Sequence, residues 1–131
     1  VENRFHWLGY RKDAPELIRY LDCFVMTSNS EGMPTSLLEA MSVKTPIAFL
    51  EGKGGLKDLA YYNQNDMHFA EVVPAGDYQG LAEAVQRIIT DKDYATELAE
   101  NAFVVGRKYF DVQSVVSQLH DVYKKVMEQW Q

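Results

Sequence analysis

The sequence is poor in cysteine and has no long apolar run. Its single cysteine, Cys23, lies in the apolar run of residues 23–26. One cysteine excludes a disulfide framework, and its apolar setting indicates a small core residue rather than a thiol nucleophile. Uncharged stretches are far shorter than the roughly 18 apolar residues of a membrane-spanning helix. We therefore expect a packed domain in a reducing, cytoplasmic setting.

Positive charge is also scarce. The 131 residues carry 13 Lys and Arg against 19 Asp and Glu, a net charge of −6. This balance argues against a duplex nucleic-acid surface, whose usual footprint is a basic face. The deficit is uneven, because residues 1–65 have a net charge of −1 and residues 66–131 one of −5. Because residues 1–65 repel an anion less, we expect an anionic ligand to bind in this half rather than in residues 66–131.

No metal or nucleophile constellation is visible. His6, His68 and His120 are far apart and lie in strand or helix patterns. Such histidines are more often structural than metal ligands, so we predict no metal site. The serines lack a nucleophile-elbow pattern, which leaves hydrolytic triads unsupported.

The first half alternates short apolar runs with helical segments about every twenty residues, which is typical of βα units in a parallel sheet. We predict an α/β fold over residues 1–131: a Rossmann-like parallel sheet of about four strands, helices on both faces and a C-terminal helical segment. The strands are predicted at residues 5–8, 23–27, 47–50 and 68–73. The helices are predicted at residues 13–22, 36–43, 56–62, 77–89, 93–109 and 112–129. Asp13 and Glu16 have capping-box spacing at the first helix.

The last predicted helix carries one apolar stripe. Its members follow helical spacing: Val115, Val116, Leu119, Val122, Tyr123, Val126, Met127 and Trp130. Packing into the core is the favoured interpretation, and a partner surface is the alternative.

Residues 28–40 are the densest candidate site. They follow a predicted strand and begin a helix, and ligands of parallel α/β sheets bind beyond the carboxyl ends of strands. The helix start offers free N–H groups to a phosphate, and Gly32 permits close backbone approach. Glu31 and Glu39 flank this point. Alternatively, Ser36 and Glu39 form a capping box and Glu31 is a solvated loop acid.

A second polar loop, residues 51–58, leaves the next strand and leads into another helix. It contains Gly52, Gly54 and Gly55, but it matches neither the P-loop nor the dinucleotide fingerprint. Two glycine-rich helix starts in adjacent loops favour a shared anion site.

Several motifs together resemble a known family. Ser28 is followed by Glu31 and residues 32–34, and seven residues separate Glu31 from Glu39. Further agreement lies in residues 37–41 and 46–48, in Gly54 and Gly55 with an acid after them, and in residues 73–77. This order resembles the carboxyl-terminal domain of GT-B retaining glycosyltransferases, the family called glycosyl transferases group 1.

The resemblance implies a donor-binding role. By this likeness Glu39 holds the ribose of a nucleotide-diphosphate sugar, and Glu31 contacts the transferred sugar as the catalytic position. The segment between them completes the site: Gly32, Met33 and Pro34 line the sugar, Thr35 continues the binding stretch, and the Ser36 and Leu37 amides face the diphosphate. No metal and no cofactor other than the donor substrate is implied.

The resemblance also implies what the chain lacks. In the family a preceding segment supplies the basic diphosphate-binding residues, and an N-terminal domain binds the sugar or lipid-linked acceptor. We therefore expect a truncated domain that is inactive and self-associating on its own. The complete protein would act in surface polysaccharide or glycoconjugate synthesis, cytoplasmic or peripheral to the inner membrane face. A non-catalytic nucleotide or sugar-phosphate binding module and a plain scaffold remain as alternatives.

Two positions depart from the family pattern. Asp58 stands where glutamate is usual, and Lys44 stands where a glycine usually ends the helix. We therefore predict a positive φ at Lys44 or a different helix end.

Overall fold

The computed structural model describes residues 2–130, and its centre is a three-stranded parallel sheet. The strands are β1 (Phe24–Met26), β3 (Ile47–Leu50) and β5 (Glu71–Val73), in the order β1-β3-β5. Two short segments, β2 (Ser30–Glu31) and β4 (Lys53–Gly54), form a separate parallel pair. All strand pairs are parallel, so the predicted α/β class is confirmed.

Residues 2–130 contain six α-helices. They are α1 (Ala14–Ile18), α2 (Thr35–Ser42), α3 (Gly55–Asn65), α4 (Tyr78–Thr90), α5 (Lys92–Tyr109) and α6 (Val112–Glu128), after a 3₁₀ turn at Glu2–Arg4. Asp77, Asp91 and Asp111 each cap the helix that follows, because their carboxylates accept a backbone N–H of its first turn. No helix within residues 2–130 is long and apolar enough to cross a membrane.

The core lies on both faces of β3. Ile47 and Phe49 pack with α2 and α3 on one side, while Ala48 and Leu50 pack with α4 and α5 on the other. Each of these four residues is at most 1% exposed. Their alternation follows from the two-residue period of a strand, and the apolar run of β3 is typical of a strand that is covered twice.

The strand predicted at residues 5–8 is wrong. These residues form no strand, and Phe5, Trp7 and Leu8 are exposed by 64% or more. A strand requires a neighbouring edge for its backbone N–H and C=O groups, and residues 5–8 pair with none in the described part of the chain. The fourth predicted strand is correct only for its second part, β5.

Two helices in the first half of the chain end at other residues than predicted. The first helix ends at Ile18 rather than near residue 22, and Asp13 makes no capping hydrogen bond. Its carboxylate instead accepts two hydrogen bonds from Arg11, which leaves the capping box unformed. The helix predicted to end at residue 62 continues to Asn65.

Helix α6 does not contribute to the core. None of its residues is buried, and the apolar stripe is exposed, from 47% at Val115 to 86% at Trp130 just after the helix. The prediction that this stripe packs into the core is therefore wrong for residues 2–130. Helix α6 contacts α5 near its own start, where Arg107 pairs with Asp111 and the Ser114 hydroxyl donates to the Arg107 carbonyl.

Lys44 follows α2 and has φ 57°, which confirms the predicted left-handed conformation. Its ammonium pairs with Glu100 at 2.7 Å and lies 5.0 Å from the centre of the Phe103 ring.

Candidate functional site

The candidate site lies at the carboxyl edge of the sheet, where β1 and β3 end. The loop after β1 contains β2, the loop after β3 contains β4, and the two segments pair in register: Ser30 with Lys53, and Glu31 with Gly54. The Lys53 amide also donates to the Asn29 carbonyl at 3.0 Å. The fold thus joins the two polar loops that the sequence singled out.

Glycine makes this approach possible. A Cβ at Gly55 would lie 2.7 Å from the Gly32 carbonyl oxygen and 2.8 Å from the Pro34 ring. Gly54 has φ 65°, and a Cβ there would collide with the Glu31 carbonyl oxygen. The backbone of residues 31–34 therefore rests directly on the glycine loop, and its position depends on the absence of side chains there.

Helix α2 begins in this site without a side-chain cap. Pro34 occupies the N-cap position and no side chain accepts a hydrogen bond from the first turn. The amide of Thr35 donates to Met33 and that of Leu37 to Pro34, at 2.8 and 2.9 Å. Within the described residues the Ser36 amide has no backbone acceptor. The positive end of the helix dipole and a free N–H therefore face the loop.

The capping-box alternative is not realised. Ser36 lies inside the helix rather than at its N-cap, and Glu39 is the fifth residue of α2. Within residues 3–130 the Glu39 carboxylate makes no hydrogen bond, whereas its backbone carbonyl accepts from the Val43 amide and the Ser42 hydroxyl. Glu39 is thus not a capping residue.

The predicted site residues lie together around the start of α2, with different exposures. Glu31 and Glu39 are half-buried, and neither carboxylate forms an ion pair among the residues described. Among the other predicted site residues, Gly32, Met33 and Thr35 are exposed, Ser36 is half-buried, and Pro34 and Leu37 are buried. Leu37 belongs to the core, so only its backbone is available to a ligand.

Sequence reasoning missed the cavity beside this loop. A cavity of about 570 Å³ is lined by Asn29, Glu51, Gly52, Lys53, Lys57 and Ala75. Lys53 and Lys57 were visible as charges in the second polar loop, but nothing in the sequence indicated that Ala75, after β5, would complete a cavity with them.

The titratable cluster at the other edge of the sheet was also missed. Tyr94 donates to Glu71 at 2.7 Å, Arg87 donates to the same oxygen at 2.7 Å, and the Nε2 of His68 lies 3.1 Å from the Tyr94 hydroxyl. Burial raises the pKa of Tyr94, and the hydrogen bond to Glu71 raises it further. Because every member has a partner inside the chain, this cluster is structural.

Thiol and metal chemistry find no support. Burial raises the pKa of Cys23 to about 11, so the thiolate is scarce at neutral pH. The described residues contain no group of three His, Cys, Asp or Glu side chains that could hold a metal ion.

Comparison with known proteins identifies the family of the chain. The family profile "Glycosyl transferases group 1" matches residues 1–105. The chain is 29% identical over 123 residues to N,N'-diacetylbacillosaminyl-diphospho-undecaprenol alpha-1,3-N-acetylgalactosaminyltransferase of Campylobacter jejuni, covering 94% of the chain and 31% of that protein. It is 28% identical over 100 residues to the lipopolysaccharide core biosynthesis glycosyltransferase LpsE of Rhizobium meliloti, covering 76% of the chain and 28% of LpsE.

A solved structure shows the same fold. The crystal structure of Anabaena HepE in complex with UDP-glucose superposes with a TM-score of 0.79 and 26% identity, covering 95% of this chain and 33% of HepE. The chain thus spans about a third of the length of each of these proteins. With a profile match over most of its sequence and these relatives beside it, the chain belongs to the glycosyl transferases group 1 family.

Proposed function

We propose that residues 1–131 form part of the donor-binding domain of a retaining glycosyltransferase. The complete protein would move a sugar from a nucleotide-diphosphate sugar to a sugar or lipid-linked acceptor. The observation that carries this proposal is the pair of half-buried glutamates, Glu31 and Glu39, without partners in the described residues and on either side of the uncapped start of α2.

The geometry suits the charge distribution of such a donor. Departure of a nucleoside diphosphate places negative charge on the leaving group, which the positive end of α2 and the Ser36 amide would stabilise. Glu31 would stabilise positive charge on the sugar ring, and Glu39 would accept hydrogen bonds from the ribose hydroxyls.

The segment between the glutamates would shape the sugar site. Gly32, Met33 and Pro34 would line the sugar, although Pro34 has no N–H to donate. Thr35 and Leu37 stay in the proposed binding stretch, but their amides already donate to Met33 and Pro34, so Ser36 is the main backbone donor of the proposal.

The acceptor would be bound outside this chain. The C. jejuni relative is named for a diphospho-undecaprenol substrate, which supports a lipid-linked acceptor here. Such an acceptor would bring the complete protein to the inner face of a membrane as a peripheral protein. The isolated chain would bind donor without transferring sugar.

The test is a titration of the chain with UDP and UDP-glucose, followed by NMR, which detects millimolar binding. Glu39→Gln should weaken both ligands about fivefold, because a charged acceptor is replaced by a neutral one. Glu31→Gln should weaken UDP-glucose and spare UDP. Glu16→Gln, which changes an exposed glutamate on α1, is the matched control.

Three results would contradict this proposal: absence of saturable UDP binding, equal effects of all three substitutions, or a silent Glu39→Gln in a folded variant. A non-catalytic nucleotide module would instead bind UDP and show no preference for the attached sugar.

We also propose that the isolated chain self-associates through α6. Its apolar stripe is exposed, and contiguous apolar surface of this kind marks interaction sites. In sedimentation, Leu119→Glu should give monomers, whereas Gln118→Glu on the adjacent polar face should not. A wild-type monomer at high concentration would contradict self-association.

A further inference from the structure

The cavity at the carboxyl edge of the sheet is formed where three strands end. Asn29 comes from the loop after β1, Lys53 from the loop after β3, and Ala75 from the residues after β5. Its volume of about 570 Å³ exceeds that of a single phosphate group and suits a small ligand. Parallel α/β folds place their ligand crevices at this edge.

Lys53 and Lys57 are the cations that line this cavity. Neither ammonium is within ion-pair distance of a carboxylate in residues 3–130, whereas Lys44, Lys92 and Lys108 each are. Glu51 also lines the cavity but pairs with neither lysine. The lining therefore has a net charge of +1 in a chain whose net charge is −6.

The lysines stand on a rigid support. A Cβ at Gly52 would lie 2.6 Å from Leu56 Cδ1 and 2.9 Å from the Asn29 carbonyl oxygen, so this loop packs tightly on its neighbours. Lys57 lies in the first turn of α3, between the buried residues Leu56 and Leu59. The backbone that carries both lysines is therefore held in place, so that mainly side-chain entropy is lost when a ligand binds.

We propose that Lys53 and Lys57 form an anion subsite that binds a phosphate or diphosphate group of a substrate. Lysine binds phosphate as a point charge, and two lysines in one cavity supply two cationic contacts to a diphosphate, against the single negative charge of Glu51. Lys53 is the register neighbour of Ser30, next to Glu31, so the bound group would lie beside the proposed sugar site. This inference rests on the proposed function, which supplies two sources: the donor diphosphate and the phosphate of a lipid-linked acceptor.

The experiment titrates the 131-residue chain with inorganic pyrophosphate, UDP and geranyl diphosphate by NMR at physiological ionic strength. The test variant is Lys53→Gln with Lys57→Gln. The matched control is Lys12→Gln with Lys124→Gln, which removes two exposed lysines that likewise form no ion pair within the described residues. Pyrophosphate affinity should fall about tenfold or more in the test variant and stay unchanged in the control. Lys53→Arg with Lys57→Arg should retain binding.

The other two ligands identify the source. If UDP affinity falls together with pyrophosphate affinity, the subsite belongs to the donor diphosphate. If geranyl diphosphate affinity falls with pyrophosphate affinity while UDP affinity is unchanged, the subsite belongs to the acceptor. No saturable pyrophosphate binding, or an equal fall in both double variants, overturns the subsite. The subsite alone would be overturned if the lysine test variant bound all three ligands normally while Glu39→Gln bound UDP weakly. The proposed function would then still stand.

Discussion

The two edges of the central sheet use polar side chains differently. At the amino edge, polar side chains have partners within the chain. Thr45, 1% exposed, donates to the Ile18 carbonyl, and Asn63 makes hydrogen bonds to the backbone of residues 69 and 70. Glu71 accepts from both Tyr94 and Arg87. These polar side chains can be buried because each of them has a hydrogen-bond partner within the chain.

At the carboxyl edge the side chains of Glu31, Glu39, Lys53 and Lys57 make no hydrogen bond to any described residue. Yet the backbone beneath them is held by the β2–β4 pair and by close glycine contacts. A fixed backbone with unpaired charges is suited to binding, whereas paired charges serve stability. The comparison therefore predicts that substitutions at the amino edge change unfolding and those at the carboxyl edge change ligand affinity.

The largest effect should come from Asn63→Ala. Removing this buried amide leaves the backbone N–H groups of Phe69 and Ala70 and the carbonyl of Ala70 without a partner. We expect a loss of about 3 kcal/mol in the free energy of unfolding, measured by urea denaturation. Asn65→Ala, an exposed control that bonds only the Tyr61 carbonyl, should cost far less. Equal losses would show that the amino edge is not specially dependent on its buried polar groups.

Glu71→Gln should have a smaller and pH-dependent effect. Burial by itself raises the pKa of Glu71, but hydrogen bonds from Arg87 and Tyr94 hold that pKa below its usual range. The ionised carboxylate therefore stabilises the fold above about pH 4.5, and this contribution is lost as the pH falls through the lowered pKa. We expect the wild type to exceed the variant by about 1 kcal/mol at pH 7 and by much less near pH 3. A difference that does not change with pH would contradict this.

Lys44 tests backbone strain at the amino edge. A left-handed non-glycine residue is strained, so Lys44→Gly should be more stable than Lys44→Ala by about 1 kcal/mol. Both variants lose the ion pair with Glu100, which makes alanine the proper reference. The wild type should lie near or slightly below the glycine variant. A melting temperature of Lys44→Ala equal to or above that of Lys44→Gly would contradict backbone strain at this position.

The smallest effect on stability should come from Glu39→Gln at the carboxyl edge. Its carboxylate has no partner among the described residues, so we expect the free energy of unfolding to change by less than about 0.5 kcal/mol. If this substitution destabilised the chain as much as Glu71→Gln, the proposed difference between the carboxyl and amino edges would be wrong.

Sequence patterns predicted the parts of the fold that depend on local chemistry. The apolar run of β3 and the helix predicted at residues 77–89 follow from residue type and spacing, whereas the left-handed Lys44 was predicted from the family resemblance. The position of the site followed from the rule that ligands bind where parallel strands end. The residue roles within it came from family resemblance and stay predictions.

The remaining features depend on contacts between distant residues. Residues 5–8 have the composition of a strand, but they pair with no strand of the described structure, and composition does not reveal pairing. The α6 stripe has core periodicity, yet periodicity does not reveal what covers it. The β2–β4 pair joins polar residues and glycine, which carry no strand signal. Asn63 lies in a polar helix end, and only the fold shows that it is buried.

The glycine loop beneath the site has a consequence for sequence variation. Gly54 is exposed to solvent, and exposed positions ordinarily tolerate most substitutions. Here any side chain would strike the Glu31 carbonyl oxygen and would also require a backbone conformation that L-residues rarely adopt. Variants at this position should therefore be harmful despite their accessibility, and ranking substitutions in this protein by solvent exposure would misjudge the one surface loop on which the proposed sugar-binding segment rests.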